Sequence, residues 1–262
     1  MNVAFPEGKK KALTFSYDDG QIFDRRLVHI LKKYGLKGTF HLNSGTAGTD
    51  GYVTREEIPE LYEEMEVAGH TVSHPYLSQK QTTEIMAEIW EDRKALEQWS
   101  GKFVRGFSYP FGETSGQITG ALRNAGIEYA RTVVSTHSFA WPDNFLMWNP
   151  TCHHNEVTEE MVRHFLSPFE YERNLLFYIW GHSFEFEREQ TWEKFEEVCE
   201  KLSGQEDVWY ATNIQIKDYI TAVRRLVVSA DGSHVYNPSA QSVWIWKDGG
   251  LAEIPSGEGL KL

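Results

Sequence analysis

Ala12-Leu13-Thr14-Phe15-Ser16-Tyr17-Asp18-Asp19-Gly20 decides the reading, because an apolar stretch runs here straight into two adjacent carboxylates. Residues 12–17 read as a strand. After them, Phe23, Leu27, Ile30, Leu31 and Tyr34 fall at helical spacing, and Gly35 is placed to end that helix. Residues 38–43 are extended and apolar again.

The alternation continues outward. Ile58, Leu61, Met65 and Ala68 predict a second helix closed by Gly69, and Ile85, Ile89, Leu96 and Trp99 a third closed by Gly101. Residues 103–109 look extended. A short helix around Ile118 and Leu122 leads through Gly126 to a strand at 127–133. Residues 174–180 form a strongly apolar run and a buried strand. Trp192, Phe195, Cys199 and Leu202 mark another helix, 208–212 a strand, and 214–226 a last helix. Repeated strand–helix order argues for an α/β fold with a parallel sheet covered by helices. Residues 227–262 break the pattern. The turn signals Asp231-Gly232, Asn237-Pro238 and Asp248-Gly249-Gly250 separate β-rich pieces such as 242–246. The expected organisation is therefore a main domain over 1–226 and a small C-terminal β appendage over 227–262. Trp244 and Trp246, two apart on one strand face, offer the appendage a contact with the main domain or with a second copy of the chain.

The chain has 262 residues, 40 % apolar and 24 % charged, which is ordinary for a folded domain. Its formal net charge of −12 disfavours nucleic acid and anionic membranes as partners. No apolar run is long enough to span a bilayer. The two cysteines, Cys152 and Cys199, form no disulfide framework. Residues 1–11 carry Lys9, Lys10 and Lys11 but no apolar stretch before a cleavage site. This favours the cytoplasm.

Three segments carry chemistry, each at or just beyond the end of an expected strand, the edge at which α/β folds bind ligands. Asp18-Asp19 is the first. Neighbours in extended chain point opposite ways, so one carboxylate suits a metal and the other a proton; a polar turn capped by Asp19 is the plainer reading. His70-Thr71-Val72-Ser73-His74 is the second. Histidines four apart meet on one face of a helical turn, and two His with one Asp make a three-ligand site of the zinc type. Solvent-exposed loop histidines are the alternative. The third is Leu175-Leu176-Phe177-Tyr178-Ile179-Trp180-Gly181-His182, where a histidine at the mouth of a buried strand suits acid–base work near neutral pH; a structural histidine is the plainer reading of this segment alone.

Together these segments resemble the polysaccharide deacetylases, the NodB-homology domain of the fourth carbohydrate-esterase family. The family's T-F-D-D-G resembles Thr14-Phe15 with Asp18-Asp19-Gly20, two residues being inserted here. Its H-x-x-x-H resembles 70–74, its R-x-P-Y-G resembles Ser108-Tyr109-Pro110-Phe111-Gly112, and its L-x-L-x-H resembles 177–182. The likeness covers roughly 10–225. It implies a distorted (β/α) barrel of about seven parallel strands, and a metal-dependent hydrolase acting on an N-acetylated sugar or oligosaccharide. By the same resemblance Asp19, His70 and His74 hold the metal, with zinc the first choice. Asp18 is the general base, His182 the general acid, and the Phe111 backbone N–H helps hold the oxyanion.

The departures are specific. Ser108 stands where the family has the arginine that pairs with the base, and Arg105 lies three residues earlier. A substitute donor is expected from the loops at 141–154. No match to the family's Asp-Trp motif is present. Residues 141–143 and 148–154 fall in its region, where His153 and His154 are either substrate contacts or polar loop residues. Ser183 and Glu185 are candidates for orienting His182. Two other readings stay open: a small-amide or cyclic-imide hydrolase on the same fold, and a non-catalytic metal-containing sugar-binding protein.

Overall fold

The computed structural model describes residues 2–262. Its centre is strand β2 (Lys11–Asp19), buried along nearly its whole length. On one side β2 pairs in parallel with β8 (Leu175–His182); on the other it pairs with β9 (Val208–Tyr210) near its start and β3 (Gly38–Leu42) near its end. The sheet continues in parallel from β3 through β4 (Glu66–Gly69) and β5 (Gly106–Ser108) to β6 (Tyr129–Arg131). Beyond β8 lies the short β7 (Cys152–His153).

The two edges curl towards each other, and the segment before β7 bridges the gap. Trp148 N–H donates to Ala130 O (2.9 Å) on the β6 side, and Thr151 N–H donates to Tyr178 O (2.8 Å) on the β8 side. The result is the expected distorted barrel with seven strands in its main path. Helices α1 (Asp24–Lys33), α3 (Thr82–Ser100), α4 (Gly116–Asn124), α5 (Glu159–Leu166), α7 (Trp192–Leu202) and α8 (Asn213–Arg224) surround it. Two shorter helices are α2 (Ile58–Leu61) and α6 (Ser183–Glu189).

Alternation along β2 divides the core. Leu13, Phe15 and Tyr17 join the apolar layer shared with α1 and α7. Thr14, Ser16 and Asp18 take the opposite parity, and all are buried. Thr14 donates to Asn213 (2.9 Å), Ser16 pairs with His41 (2.9 Å), and Glu66 accepts from Tyr129 (2.8 Å) and Thr39 (2.9 Å). Polar residues are tolerated there because they satisfy one another.

One expected element is corrected. The helix read through Met65 and Ala68 to Gly69 stops after Leu61, and Glu66–Gly69 is strand β4. A strand covered on both faces is apolar on both, so a short stretch of it mimics helical spacing. The third helix is as expected: Gly101 ends it in the left-handed conformation (φ 68°).

The C-terminal strands build two small sheets. One joins β10 (Val227–Val228), β11 (His234–Tyr236) and β14 (Gly259–Lys261). The other joins β12 (Val243–Lys247) and β13 (Gly250–Ile254) to β1 (Asn2–Ala4) at the other end of the chain. Tyr219 of α8 ties this sheet to the barrel: its hydroxyl donates to Ala4 O (2.5 Å) and accepts from Trp244 N–H (3.1 Å). Trp244 thus faces the barrel.

Candidate metal centre

Seven residues gather at the C-terminal ends of the strands: Asp18 and Asp19 on β2, His70 after β4, Ser108 on β5, Arg131 on β6, His153 on β7 and His182 on β8. Asp19, His70 and His74 each offer one ligand atom, all within 4.8 Å of one another. Asp19 Oδ1 lies 3.7 Å from His70 Nε2 and 3.9 Å from His74 Nε2.

The local chain explains this convergence differently from the sequence. His70 and His74 do not share a helical turn. They meet through a loop in which Thr71 (φ 71°) and His74 (φ 51°) take left-handed backbone, with Thr71 Oγ1 accepting from His74 N–H (3.0 Å). Nor are the two aspartates fully opposed. Asp19 has φ 81°, which breaks the extended run, so Asp18 Oδ2 (3.8 Å) also approaches His70 Nε2.

Their hydrogen bonding separates them instead. Asp18 Oδ1 accepts from Ser108 Oγ (3.1 Å), and Asp18 Oδ2 accepts from the Arg131 guanidinium. Among the described residues no hydrogen bond occupies the Asp19 carboxylate. Asp18 is buried, which alone would raise its pKa; Arg131, with His70 and other imidazoles behind it, instead holds it well below the usual carboxylate range. Arg131 is itself buried, donates to Thr132 O (3.0 Å) and lies 4.2 Å over the Trp180 ring.

The donor set fits a divalent transition ion. His70 Nδ1 lies 2.8 Å from Ser108 O and 2.6 Å from Ser108 Oγ. A proton donated from Nδ1 leaves the Nε2 lone pair facing Asp19, the arrangement that orients metal-ligating histidines. His70 N–H also donates to Asp92 Oδ2 (3.0 Å), whose Oδ1 accepts from Ser44 N–H (2.8 Å). The Phe111 ring packs 4.5 Å from that of His74, and Phe111 has φ 56°, so its backbone is turned at the edge of the cluster.

On the far side, Glu185 Oε2 is the focus of three histidines. It accepts from His182 N–H (3.1 Å) and lies 3.3 Å from His182 Nδ1, 3.0 Å from His153 Nε2 and 3.4 Å from His154 Nε2. Burial would lower the His182 pKa, but Glu185 and the two aspartates raise it.

The donor that replaces the missing arginine at Ser108 comes from β6, not from the loops at 141–154. Those loops supply Trp148, which is buried against Tyr129 and Tyr178, while Trp141 packs on Phe5. Arg105 is engaged elsewhere, with Glu128 and Asp218. Ser183 donates to Asp24 (2.5 Å), leaving Glu185 as the residue on His182. Sequence reasoning missed Arg131 and Asp92. An arginine closing residues 127–131 and an aspartate in the Ile85, Ile89, Leu96 stripe of α3 were the available signals.

The structure is thus a distorted α/β barrel with an Asp–His–His group able to hold a metal ion at the C-terminal edge of its strands. The polysaccharide deacetylase family model matches residues 6–130, just under half of the chain, so over that stretch the chain is similar to that family. A peptidoglycan-N-acetylglucosamine deacetylase of Listeria monocytogenes is 30 % identical over 111 residues, which are 42 % of this chain and 23 % of that protein. The chain therefore matches less than a quarter of that relative's length. Among solved structures, a Mycobacterium smegmatis chain assigned to the polysaccharide deacetylases superposes with a TM-score of 0.60 at 20 % identity, covering 85 % of this chain and 94 % of that one. The Xyl-CE4 domain of a multidomain xylanase from the hindgut metagenome of Trinervitermes trinervoides gives 0.57 at 16 % identity, covering 82 % and 92 %. At these identities both superpositions report the fold.

Proposed function

We propose that the protein is a metal-dependent deacetylase that hydrolyses the N-acetyl amide of a sugar or oligosaccharide. The observation that carries this reading is Asp18: a buried carboxylate held ionised by Arg131 and Ser108, directly beside the Asp19, His70 and His74 cluster.

Asp19, His70 and His74 would hold the metal, with zinc the first choice for an imidazole and carboxylate set. When bound, the metal supplies Lewis acidity, polarising the acetyl carbonyl and activating water at neutral pH. Asp18 takes the proton from the attacking water, its orientation fixed from two sides by Arg131 and Ser108. The Phe111 N–H would donate to the oxyanion, a kind of contact worth roughly 3–4 kcal/mol per donor. His182, whose pKa Glu185 and the two aspartates raise against the effect of burial, gives its proton to the departing nitrogen. Acetate and a free amine leave.

The family match and the Listeria relative support a sugar substrate; cytoplasmic action on a soluble oligosaccharide is the accompanying proposal. The paired state of Asp18 speaks against a degenerate, merely binding site, because an idle site has no need of a buried arginine aimed at its base. Acetate release from a panel of N-acetylated oligosaccharides, small amides and cyclic imides, run beside Asp18→Asn, tests the reading. Release from the sugars alone, abolished in the variant, is the expected result. Hydrolysis of imides only, or of nothing, sinks it.

A further inference from the structure

We propose that His153, His154 and Glu185 form a second divalent-cation site, of the zinc-binding type, beside the Asp19, His70 and His74 cluster and sharing no ligand with it. Their three ligand atoms all lie within 4.8 Å of one another. Glu185 Oε2 stands 3.0 Å from His153 Nε2 and 3.4 Å from His154 Nε2. Donors held about 2.0–2.1 Å from a tetrahedral ion sit roughly 3.3 Å apart, so these spacings suit a common centre.

The His154 ring makes the strongest case. It is buried, and neither ring nitrogen has a hydrogen-bond partner among the described residues. A buried polar atom without a partner is costly, and a cation supplies one. The ring is also locked in place. It stacks on Phe186 (centroids 4.2 Å, 28°) with Tyr17 beyond it (5.8 Å, 21°). Gly181, between Trp180 and His182 in β8, makes room for it: a Cβ there would meet His154 Nδ1 at 2.0 Å. A fixed imidazole in a slot that admits no side chain on its neighbour is the preorganisation a ligand requires.

The neighbours agree. Glu185 Oε1 is approached by the half-exposed Arg188 (3.5 Å), which leaves Oε2 towards the histidines. His182 Nδ1, also without a hydrogen-bond partner, faces the same Oε2 at 3.3 Å. A cation here therefore lies directly behind the proposed general acid and competes with it for that oxygen.

The test is zinc stoichiometry on the full chain, by titration calorimetry and by elemental analysis after dialysis. Wild type is expected to take two equivalents per chain, and His153→Ala and Glu185→Gln one each. His74→Ala should also take one, and His74→Ala combined with His153→Ala none. His153 is partly exposed, so its removal spares the fold even if changes at buried His154 do not. One equivalent in wild type, or two in both His153→Ala and Glu185→Gln, overturns the second site. Both outcomes are read from zinc content alone, so they stay distinguishable from acetate release, which tests the deacetylase reading.

Discussion

Arg131, the last residue of β6, donates to Asp18 Oδ2 at the end of β2, four strand positions across the curled sheet. The two are 113 residues apart, and the barrel alone brings them together. Arg131→Met should leave Asp18 buried without its charge partner. Outer-shell partners of this kind typically cost about 10–100-fold in activity when removed, and that loss is expected with metal content unchanged. Ser108→Arg in the wild type should not improve the enzyme, because Ser108 is fully buried and the orienting role is filled. A gain of activity in Ser108→Arg would show that Arg131 is not the working partner.

Asp18 and Asp19 both approach His70 Nε2, at 3.8 and 3.7 Å, so distance does not assign their roles. Their hydrogen bonds distinguish them: both Asp18 oxygens are engaged, and among the described residues none donates to the Asp19 carboxylate, which is the basis of the proposed roles. Asp18→Asn should keep the metal and lose roughly 10²–10⁴-fold in rate, the usual share of a general base. Asp19→Asn should lower metal affinity by more than the roughly 10–100-fold typical of outer-shell changes. Metal-competition titrations of both variants check this, and the reverse pattern would swap the roles.

The strand-end carboxylates, the spaced histidines and the β–α alternation were legible because each is local. A strand running into Asp18-Asp19 carries its own direction, and His70 and His74 lie close enough to be read as a pair. What stayed hidden depends on the closed sheet. Arg131 at the end of a short strand looks like any surface arginine until β6 curls towards β2. Asp92 looks like an interruption in an apolar stripe until α3 packs beneath the His70 N–H. β4 was misread as helix because burial on both faces erases the two-residue alternation. The Asp19 backbone (φ 81°) could not be read from residue type, since only a minority of aspartates adopt positive φ even though the residue tolerates it better than most.

The C-terminal strands are stitched to the barrel at both chain ends. β1 has its partner in β12, Val243 is buried in the cluster around Phe5 and Tyr219, and Trp244 packs against that cluster. A chain ending at Leu226 should therefore keep the Asp19, His70 and His74 cluster but lose stability, by roughly 1.5–2 kcal/mol for Val243 alone. Thermal melts of the full and shortened chains in excess zinc check this. An unchanged melting temperature would show that the strands contribute nothing to the barrel; lost metal binding would show that they shape the site.

Glu66 makes stability depend on pH in a direction opposite to that of a surface ion pair. It is buried in the barrel interior with Tyr129, Thr39 and the Ile214 N–H donating to it. Burial raises its pKa from the ordinary 4.5 to about 7, although these hydrogen bonds pull it down. A carboxyl whose folded pKa is raised binds its proton more tightly in the folded state. Its contribution is thus fully present below pH 4.5 and is lost as pH rises to about 7. The span corresponds to about 3 kcal/mol. Glu66→Gln removes the ionisation: its amide oxygen in the place of Oε2 keeps the Thr39 and Ile214 donors, and its NH2 donates to the Tyr129 hydroxyl instead of accepting from it. Urea unfolding of both proteins at pH 5 and at pH 7.5 isolates the effect, because Asp24, also raised to about 7, cancels in the difference. The variant should gain stability relative to wild type between the two pH values. A difference that does not move with pH would mean that Glu66 keeps the same charge in the folded and unfolded chain throughout this range.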